Sequence, residues 1–169
     1  MNCGWLLKGS AYHAAGDGTV SPGTIGSLIL TLTVNPAIDH TVTVDRLVFE
    51  DRAYITSTSE SAGGRGVNAS CVIHSFGVET EAVVTSGGPA GGRLERFLSG
   101  CGFPVEAVPI REEIRTNLTI TDKQGLTVKL NEKGPKIDAE ELGRLEQAVL
   151  ARLSRAEWLM LCDRRSASR

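Results

Sequence analysis

From Leu28 onward the apolar residues fall into short blocks whose spacing switches between strand-like and helix-like. Leu28 to Val34 is mostly aliphatic and β-branched, which predicts a strand buried on both faces. Thr41 to Leu47 alternates, with Val42, Val44 and finally Leu47 on one side, and predicts a half-exposed strand. Ala53 to Ser59 is a weaker, polar strand candidate. Val67 through Phe76 changes to helical spacing, predicting a helix from about Gly66 to Phe76. A strand over Glu81 to Ser86 follows, then Gly87-Gly88-Pro89 turns the chain into a helix from about Gly91 to Ser99. A strand near Val105 to Val108 precedes two β runs, Arg115 to Thr121 and Leu126 to Leu130. Asp122-Lys123-Gln124-Gly125 joins them as a hairpin turn. Asp138 with Glu141 three residues later predicts a capping-box start. Behind it Leu142, Leu145, Val149 and Leu153 form one apolar helix face. Trp158 to Cys162 reads as one more buried strand. Alternating strands and helices predict an α/β sandwich around a mainly parallel sheet, and the polar strands a small separate β layer.

The two ends depart from this pattern. Met1 to Ser27 is rich in Gly, Ser, Ala and Thr without sustained periodicity, and Trp5-Leu6-Leu7 is too short for a signal-peptide core. It is expected to be a disordered leader or an upstream-extended start. Residues 28–162 carry the regular pattern, and 163–169 form a polar, aberrant tail.

At 169 residues, the chain has room for one domain with a sizeable core. A net charge of −2 with scattered Lys and Arg argues against a nucleic-acid partner or an acidic membrane surface. No apolar run is long enough to cross a bilayer. Cys3, Cys71, Cys101 and Cys162 show neither a C-x-x-C pair nor metal-ligand spacing, so no metal site is expected. Reduced, buried thiols in a cytoplasmic protein are the expectation.

Candidate chemistry concentrates at Gly63-Gly64-Arg65-Gly66-Val67-Asn68, a short distance after Asn35-Pro36-Ala37-Ile38-Asp39. The glycines permit positive φ and a close backbone approach, and they precede a predicted helix N-terminus, which suits an anion or a sugar hydroxyl. Asp39 and Asn68 are placed to hold hydroxyl groups. Each has a plainer alternative: Asp39 stabilising a turn, and Asn68 satisfying backbone N–H groups at a helix start. Gly64-Arg65-Gly66-Val67-Asn68-Ala69 also fits G-x-G-x-x-A, the dinucleotide fingerprint. That fingerprint requires a buried strand before the glycines and an acid at the end of the next strand. Ser57 to Ser61 is polar and Val84-Thr85-Ser86 ends without an acid, so a dinucleotide-binding protein is the weaker reading.

Residues Leu28 to Cys162 resemble the N-terminal half of a ribokinase-fold (pfkB) carbohydrate kinase, in the branch holding 1-phosphofructokinase, tagatose-6-phosphate kinase and the minor 6-phosphofructokinase. Leu30 to Asp39, Gly63 to Asn68, Gly87-Gly88-Pro89-Ala90-Gly91 and Arg115-Thr116-Asn117-Leu118 carry the resemblance through their order and spacing. It implies a ribokinase-like three-layer α/β sandwich, incomplete here, with a small β lid from about 41–59 and 115–130. It also implies that Asp39, Gly64 and Asn68 bind the sugar while Arg115 and Arg52 face its phosphate, with Asn117 nearby. Arg pairs two phosphate oxygens at once, although Arg52 and Arg115 read alone are solvated surface charges. His40 and His74 lack any partner pattern and are read as structural.

The resemblance further implies ATP and Mg2+ as cofactors, a sugar phosphate such as fructose 1-phosphate as substrate, and a homodimer through the lid. The family's catalytic base sits in a Gly-Ala-Gly-Asp stretch, and no such stretch occurs in this chain, which therefore carries no catalytic residue. Phosphoryl transfer needs nucleotide, metal and base together. The chain is expected to be a truncated half, inactive alone. Family members continue after the position of Cys162 with Gly-Ser-Leu-Pro-Pro-Gly, whereas this chain reads Asp163-Arg164-Arg165-Ser166-Ala167-Ser168-Arg169. A reading-frame shift of one nucleotide can convert codons for the latter into Thr-Gly-Gly-Leu-Pro-Pro, so a frameshift is expected here. The alternative is a non-catalytic sugar-binding or interaction remnant.

Overall fold

A computed structural model describes residues 28–48 and 50–162. The expected leader, the aberrant tail and Cys3 lie outside the described residues. In chain order the elements are β1 (Ile29–Thr33), β2 (Ala37–Val44), β3 (Ile55–Gly63), α1 (Arg65–Ser75), β4 (Thr80–Ser86) and α2 (Gly88–Leu98). Then come β5 (Val105–Pro109), β6 (Arg115–Asp122), β7 (Thr127–Asn131), α3 (Ala139–Leu153) and β8 (Trp158–Cys162).

These strands form two sheets. The first is parallel, in the order β5-β4-β1-β8. Every residue of β4 is buried, as a strand covered on both faces requires. Ala82 and Val84 pack with Val67 of α1 and Leu94 and Leu98 of α2 on one face. Val83 and Leu30 pack with Leu145 and Val149 of α3 on the other. Helices on both faces of a parallel sheet make the three-layer α/β sandwich that the strand–helix alternation predicts.

The second sheet, in the order β3-β2-β6-β7, is mixed: β2 and β6 run parallel, and β3 and β7 flank them antiparallel. All four strands have one end against the sandwich: the starts of β2 and β6, at Ala37 and Arg115, and the ends of β3 and β7, at Gly63 and Asn131. The opposite ends project away and are closed by the 45–54 connection and the Asp122–Thr127 turn. Asp122 organises that turn. Burial alone would raise its pKa, but N–H groups of Leu47, Leu126 and Gln124 donate to the carboxylate and hold it below the ordinary value.

Several boundaries and burials differ from the sequence expectation. Strand β2 begins four residues before Thr41 and stops at Val44, because the residue after Pro36 already pairs with Gly63 and Arg115. Helix α2 starts at Gly88, with Pro89 in its first turn, where the missing N–H costs nothing. On α3 only Leu145 and Val149 of the expected apolar face are buried, while Leu142 is 55% exposed and Leu153 40%. Glu141 is buried instead, because it turns inward to accept from the Asp138 and Arg111 N–H groups.

Strand β8 is the largest departure. Among the described residues it pairs with β1 alone, and Trp158 and Leu161 are 65% and 68% exposed. Its apolar composition suits a strand with neighbours on both sides, but among the described residues it is the sheet edge. Arg152 of α3 pins the opposite edge region, pairing with Glu81 at 2.5 Å and also with Glu106 of β5, while Arg155 reaches Glu81 at 3.0 Å.

The capping box at Asp138 is complete: its carboxylate accepts from Glu141 N, and Glu141 accepts from Asp138 N, both at 2.9 Å. Backbone N–H donors are the main reason that both carboxyls titrate below their ordinary values. A depressed native pKa gives stability that is complete above the ordinary carboxylate range and is lost as pH falls through the lowered values. Urea midpoints should therefore drop on acidification, and less steeply for Glu141→Gln than for the wild type. Parallel acid limbs would contradict this role for Glu141.

Candidate functional site

The chain crosses between the two sheets near one place, and the candidate residues gather there. Val34-Asn35-Pro36 carries it from β1 to β2. Asp39 is the third residue of β2, directly in register with Ser61 of β3 and Asn117 of β6. Directly paired residues share a sheet face, so Asp39, Ser61 and Asn117 lie side by side, with Ala37, Gly63 and Arg115 two residues nearer the sandwich. The other face, carrying Ile38 and Glu60, packs towards α2: Ile38 belongs to the core with Leu94, and Glu60 pairs with Arg93 at 3.6 Å. A buried face and a polar face thus follow from β-sheet alternation.

Asp39 does not stabilise a turn. It lies within a strand and accepts from Asn117 Nδ2 at 2.7 Å. Its carboxylate occupies the space beside Gly63, where an added Cβ would lie 2.6 Å from Asp39 Cγ. Gly64 is the N-cap of α1, at φ 131°, a conformation that favours glycine. A Cβ there would also meet Thr33 Cγ2 at 2.9 Å and Pro36 Cα at 3.3 Å. Gly66 lies so close to β1 that a Cβ would collide with Thr33 Oγ1 and lie 3.2 Å from the Leu32 carbonyl. Of the three glycines, only Gly64 has a positive φ; Gly63 and Gly66 are required by close approach.

Asn68 stands in the first turn of α1, its N–H donating to Gly64 O at 2.9 Å. Its side chain caps nothing: the helix has no side-chain cap bond, and Asn68 Oδ1 is buried with no donor. Asn117 Oδ1 and Thr33 Oγ1 are likewise buried without a partner. Such atoms are costly unless something satisfies them.

Arg115 opens β6, and its Nη2 donates to the Asn35 carbonyl at 3.4 Å. Arg52 lies elsewhere, on the exposed 45–54 connection beyond Val44 and Ile55. Asp39 and Val44 are five strand residues apart, about 17 Å. The structure thus brings Asp39, Gly64, Arg115 and Asn117 together around the crossover, puts Asn68 at the adjoining helix start, and leaves Arg52 at the far end. Gly63, Thr33 and Asn35 were given no role of their own by sequence, although all three lie within the quoted motifs. Their roles are steric or depend on backbone contacts, which residue type does not announce.

The dinucleotide alternative fails here. The strand before the glycines, β3, belongs to the second sheet, is mostly exposed and is antiparallel to its neighbour, so no βαβ unit surrounds the G-x-G-x-x-A residues. His40 Nδ1 approaches Glu60 at 3.8 Å, and His74 packs edge-on against Phe103. Cys71, Cys101 and Cys162 are half-buried and form no disulfide among the described residues, and burial raises the pKa of Cys162. No group of three His, Cys, Asp or Glu that could hold a metal occurs among the described residues.

Residues 32–163 match the pfkB family of carbohydrate kinases. The chain belongs to that family. It is 31% identical over 123 residues to the tagatose-6-phosphate kinase of Staphylococcus epidermidis, covering 73% of this chain and 39% of that protein. It is also 31% identical over 129 residues to the 1-phosphofructokinase of Haloferax volcanii, covering 73% and 41%. Among solved structures, phosphofructokinase-2 from Escherichia coli in complex with fructose-6-phosphate superposes with a TM-score of 0.69 at 26% identity. That match covers 74% of this chain and 42% of that one. The fold is that of the ribokinase-like phosphofructokinases. The chain spans about two fifths of the length of the curated relatives it matches.

The geometry of this pfkB site gives a direct test. Gly63→Ala should drive the Asp39 carboxylate from its place and break its bond to Asn117. The Asn117 side-chain amide resonances should move in an NMR spectrum of the variant. Unmoved resonances would show that position 63 does not fix Asp39.

Proposed function

We propose that this chain supplies the sugar-phosphate-binding part of an ATP-dependent sugar-phosphate kinase of the 1-phosphofructokinase and tagatose-6-phosphate kinase type. One observation carries the reading: the Asp39 carboxylate and the donor-less acceptors of Asn117 and Asn68 flank the crossover where Arg115 presents its guanidinium. Acceptors in excess suit a ligand rich in hydroxyl donors, and a planar cation suits a phosphate. A phosphosugar has both. Membership of the pfkB family and the relatives' names support the same class. Fructose 1-phosphate, fructose 6-phosphate and tagatose 6-phosphate all meet these demands.

In this reading Asp39, Gly64 and Asn68 hold the sugar, Asn117 orients Asp39, and Arg115 takes the phosphate. Arg52 reaches that phosphate only if the 45–54 connection folds back. The second sheet acts as a lid, with residues 41–59 and 115–130 at its centre. ATP supplies the phosphoryl group, and Mg2+ neutralises its charge. The sequence holds no Gly-Ala-Gly-Asp stretch, so in this reading nucleotide, metal and base belong to a complementary part of the fold. The 169-residue chain therefore binds and does not turn over. Its setting in this reading is the cytoplasm, where the family resemblance places it; no helix among the described residues is long and apolar enough to cross a membrane.

Titration calorimetry of the whole chain with fructose 6-phosphate, fructose 1-phosphate and tagatose 6-phosphate tests the reading. At least one should bind, and Asp39→Ala should weaken it by about ten- to a hundredfold, the loss expected for hydrogen bonds to a charged group. MgATP should yield no ADP. Binding that survives Asp39→Ala would place the ligand elsewhere.

The lid also offers a homodimer contact, since Tyr54, Ile55, Leu126 and Leu130 are exposed on it. Ile55→Lys should shift the sedimentation coefficient from dimer to monomer. A wild-type chain that sediments as a monomer at all concentrations would remove the contact.

A further inference from the structure

All three layers of the sandwich leave apolar residues uncovered on the same side. β8 pairs with β1 through one edge, and among the described residues no strand lies beside the other. Directly paired residues of a sheet share a face. Thr31 bonds Ser70 of α1, so its partner Met160, and Trp158 two residues earlier, lie on the α1 face. Leu32 packs into the α3 core, so its partner Leu161 lies on the α3 face. Trp158, Met160 and Leu161 are all exposed. A parallel strand with both faces apolar is the kind that parallel sheets bury.

The helices above and below repeat the pattern. Side chains advance about 100° per residue around a helix, so Cys71 and Phe76 lie on different flanks of α1. Cys71 packs towards the α2 core, while Phe76 is on the β8 side and is 79% exposed. On α3, Arg144 reaches the Pro109 carbonyl of β5 from one flank. Leu142 and Leu153 occupy the opposite flank, towards β8, and both are exposed. A lone strand laid along β8 would satisfy its edge but leave Phe76, Leu142 and Leu153 uncovered. What fits is a strand with a helix layer on each side of it. Direction narrows the choice further. The sheet is parallel throughout, whereas a second copy related by a twofold axis would meet β8 antiparallel. The pfkB relatives hold a suitable piece: the family match ends at residue 163, next to β8, and covers 39% and 41% of the two kinases, leaving about three fifths of each outside it.

We propose that β8, with the flanks of α1 and α3 beside it, is a docking face for a second polypeptide: the C-terminal part of a pfkB kinase, which adds a parallel strand to β8 and a helix on each side. The proposal rests on the reading above that nucleotide, metal and base lie in a complementary part, and it names the surface that receives that part. Main-chain hydrogen bonds along β8 set the register of the added strand, and burial of Phe76, Met160, Leu161 and Leu153 supplies the driving force. The sugar-phosphate residues are not consumed by the contact, because Asp39, Asn117 and Arg115 belong to the second sheet.

The test mixes the whole chain with two separately produced probes, the parts of the Staphylococcus epidermidis tagatose-6-phosphate kinase and of Escherichia coli phosphofructokinase-2 that follow the matched region. In sedimentation velocity, without sugar or nucleotide, at least one should form a one-to-one complex. Leu161→Lys places a charge in the contact and should weaken that complex at least about tenfold. Because Leu161 is exposed, the variant should keep the far-ultraviolet circular dichroism of the wild type. Hydrogen exchange gives a second readout. Amides of β8 that point to the free edge should exchange rapidly in the chain alone and at least about tenfold more slowly in the complex. No complex with either probe overturns the proposal, as does a complex that Leu161→Lys leaves untouched. Slow exchange in the chain alone also overturns it, at every concentration because another segment of this chain covers β8, at high concentration only because a second copy does. A complex that forms as expected but transfers no phosphoryl group from MgATP to fructose 6-phosphate, fructose 1-phosphate or tagatose 6-phosphate supports the docking face and sinks the sugar-phosphate reading instead.

Discussion

The carboxylate of Asp39 and the backbone at Gly63 compete for one volume, and the whole site depends on glycine yielding it. Asp39 and Gly63 sit on neighbouring strands two residues out of register, close enough that any side chain at position 63 would meet the carboxylate. The next residue, Gly64, has to reverse the chain at φ 131° to start α1, and Gly66 must press against Thr33 to bring that helix onto β1. Three consecutive demands, on space, on dihedral angle and on helix–sheet distance, therefore fall within four residues. Only glycine meets each of them, which explains the density of the motif more fully than ligand approach does.

That packing has an electrostatic consequence. By drawing the polar sheet tightly to the helix start, it places acceptors near one another with fewer donors than they need. Asn117 gives one N–H to Asp39 and keeps its own Oδ1 unsatisfied; Asn68 and Thr33 are in the same condition. A fold selected for stability alone would replace such atoms with apolar ones of similar shape. Buried acceptors of this kind are costly unless a partner satisfies them, and that imbalance is what the sugar-phosphate proposal builds on.

The sandwich was legible from periodicity because its burial is set within these residues. The β4 run Glu81 to Ser86 reads as a central strand and is one, since α1, α2 and α3 cover both of its faces. Asp138 and Glu141 announce α3 through a local rule that needs no tertiary knowledge. Burial of β8 and of Leu142 and Leu153 was misread for the complementary reason. Apolar character marks what a residue would bury against, and no partner for those faces lies among the described residues. The site was legible as a motif and illegible as geometry. Arg52 and Arg115 look alike in sequence, but one begins a strand at the crossover and the other lies at the distal end of a hairpin. Asn35 was legible only as part of the Asn35 to Asp39 motif and not by role, because what matters is its carbonyl and its closeness to a glycine 99 positions later.

The polar sheet itself raises a question of stability that the crossover answers. β3 and β7 are largely exposed, and a small sheet with one solvated face has little hydrophobic burial to hold it. It gains order from attachment. Ile38 and Ala62 insert into the α2 core, Glu132 takes Thr116 N, and Asn35 ties the β7–α3 connection to the β1–β2 link. Every one of these anchors lies at the sandwich end, whereas the distal end is held by its own turn around Asp122. Asp39, Arg115 and Asn117 lie within two residues of that anchored edge. The order of the site thus follows from an asymmetric distribution of contacts that places the sheet's anchors beside it.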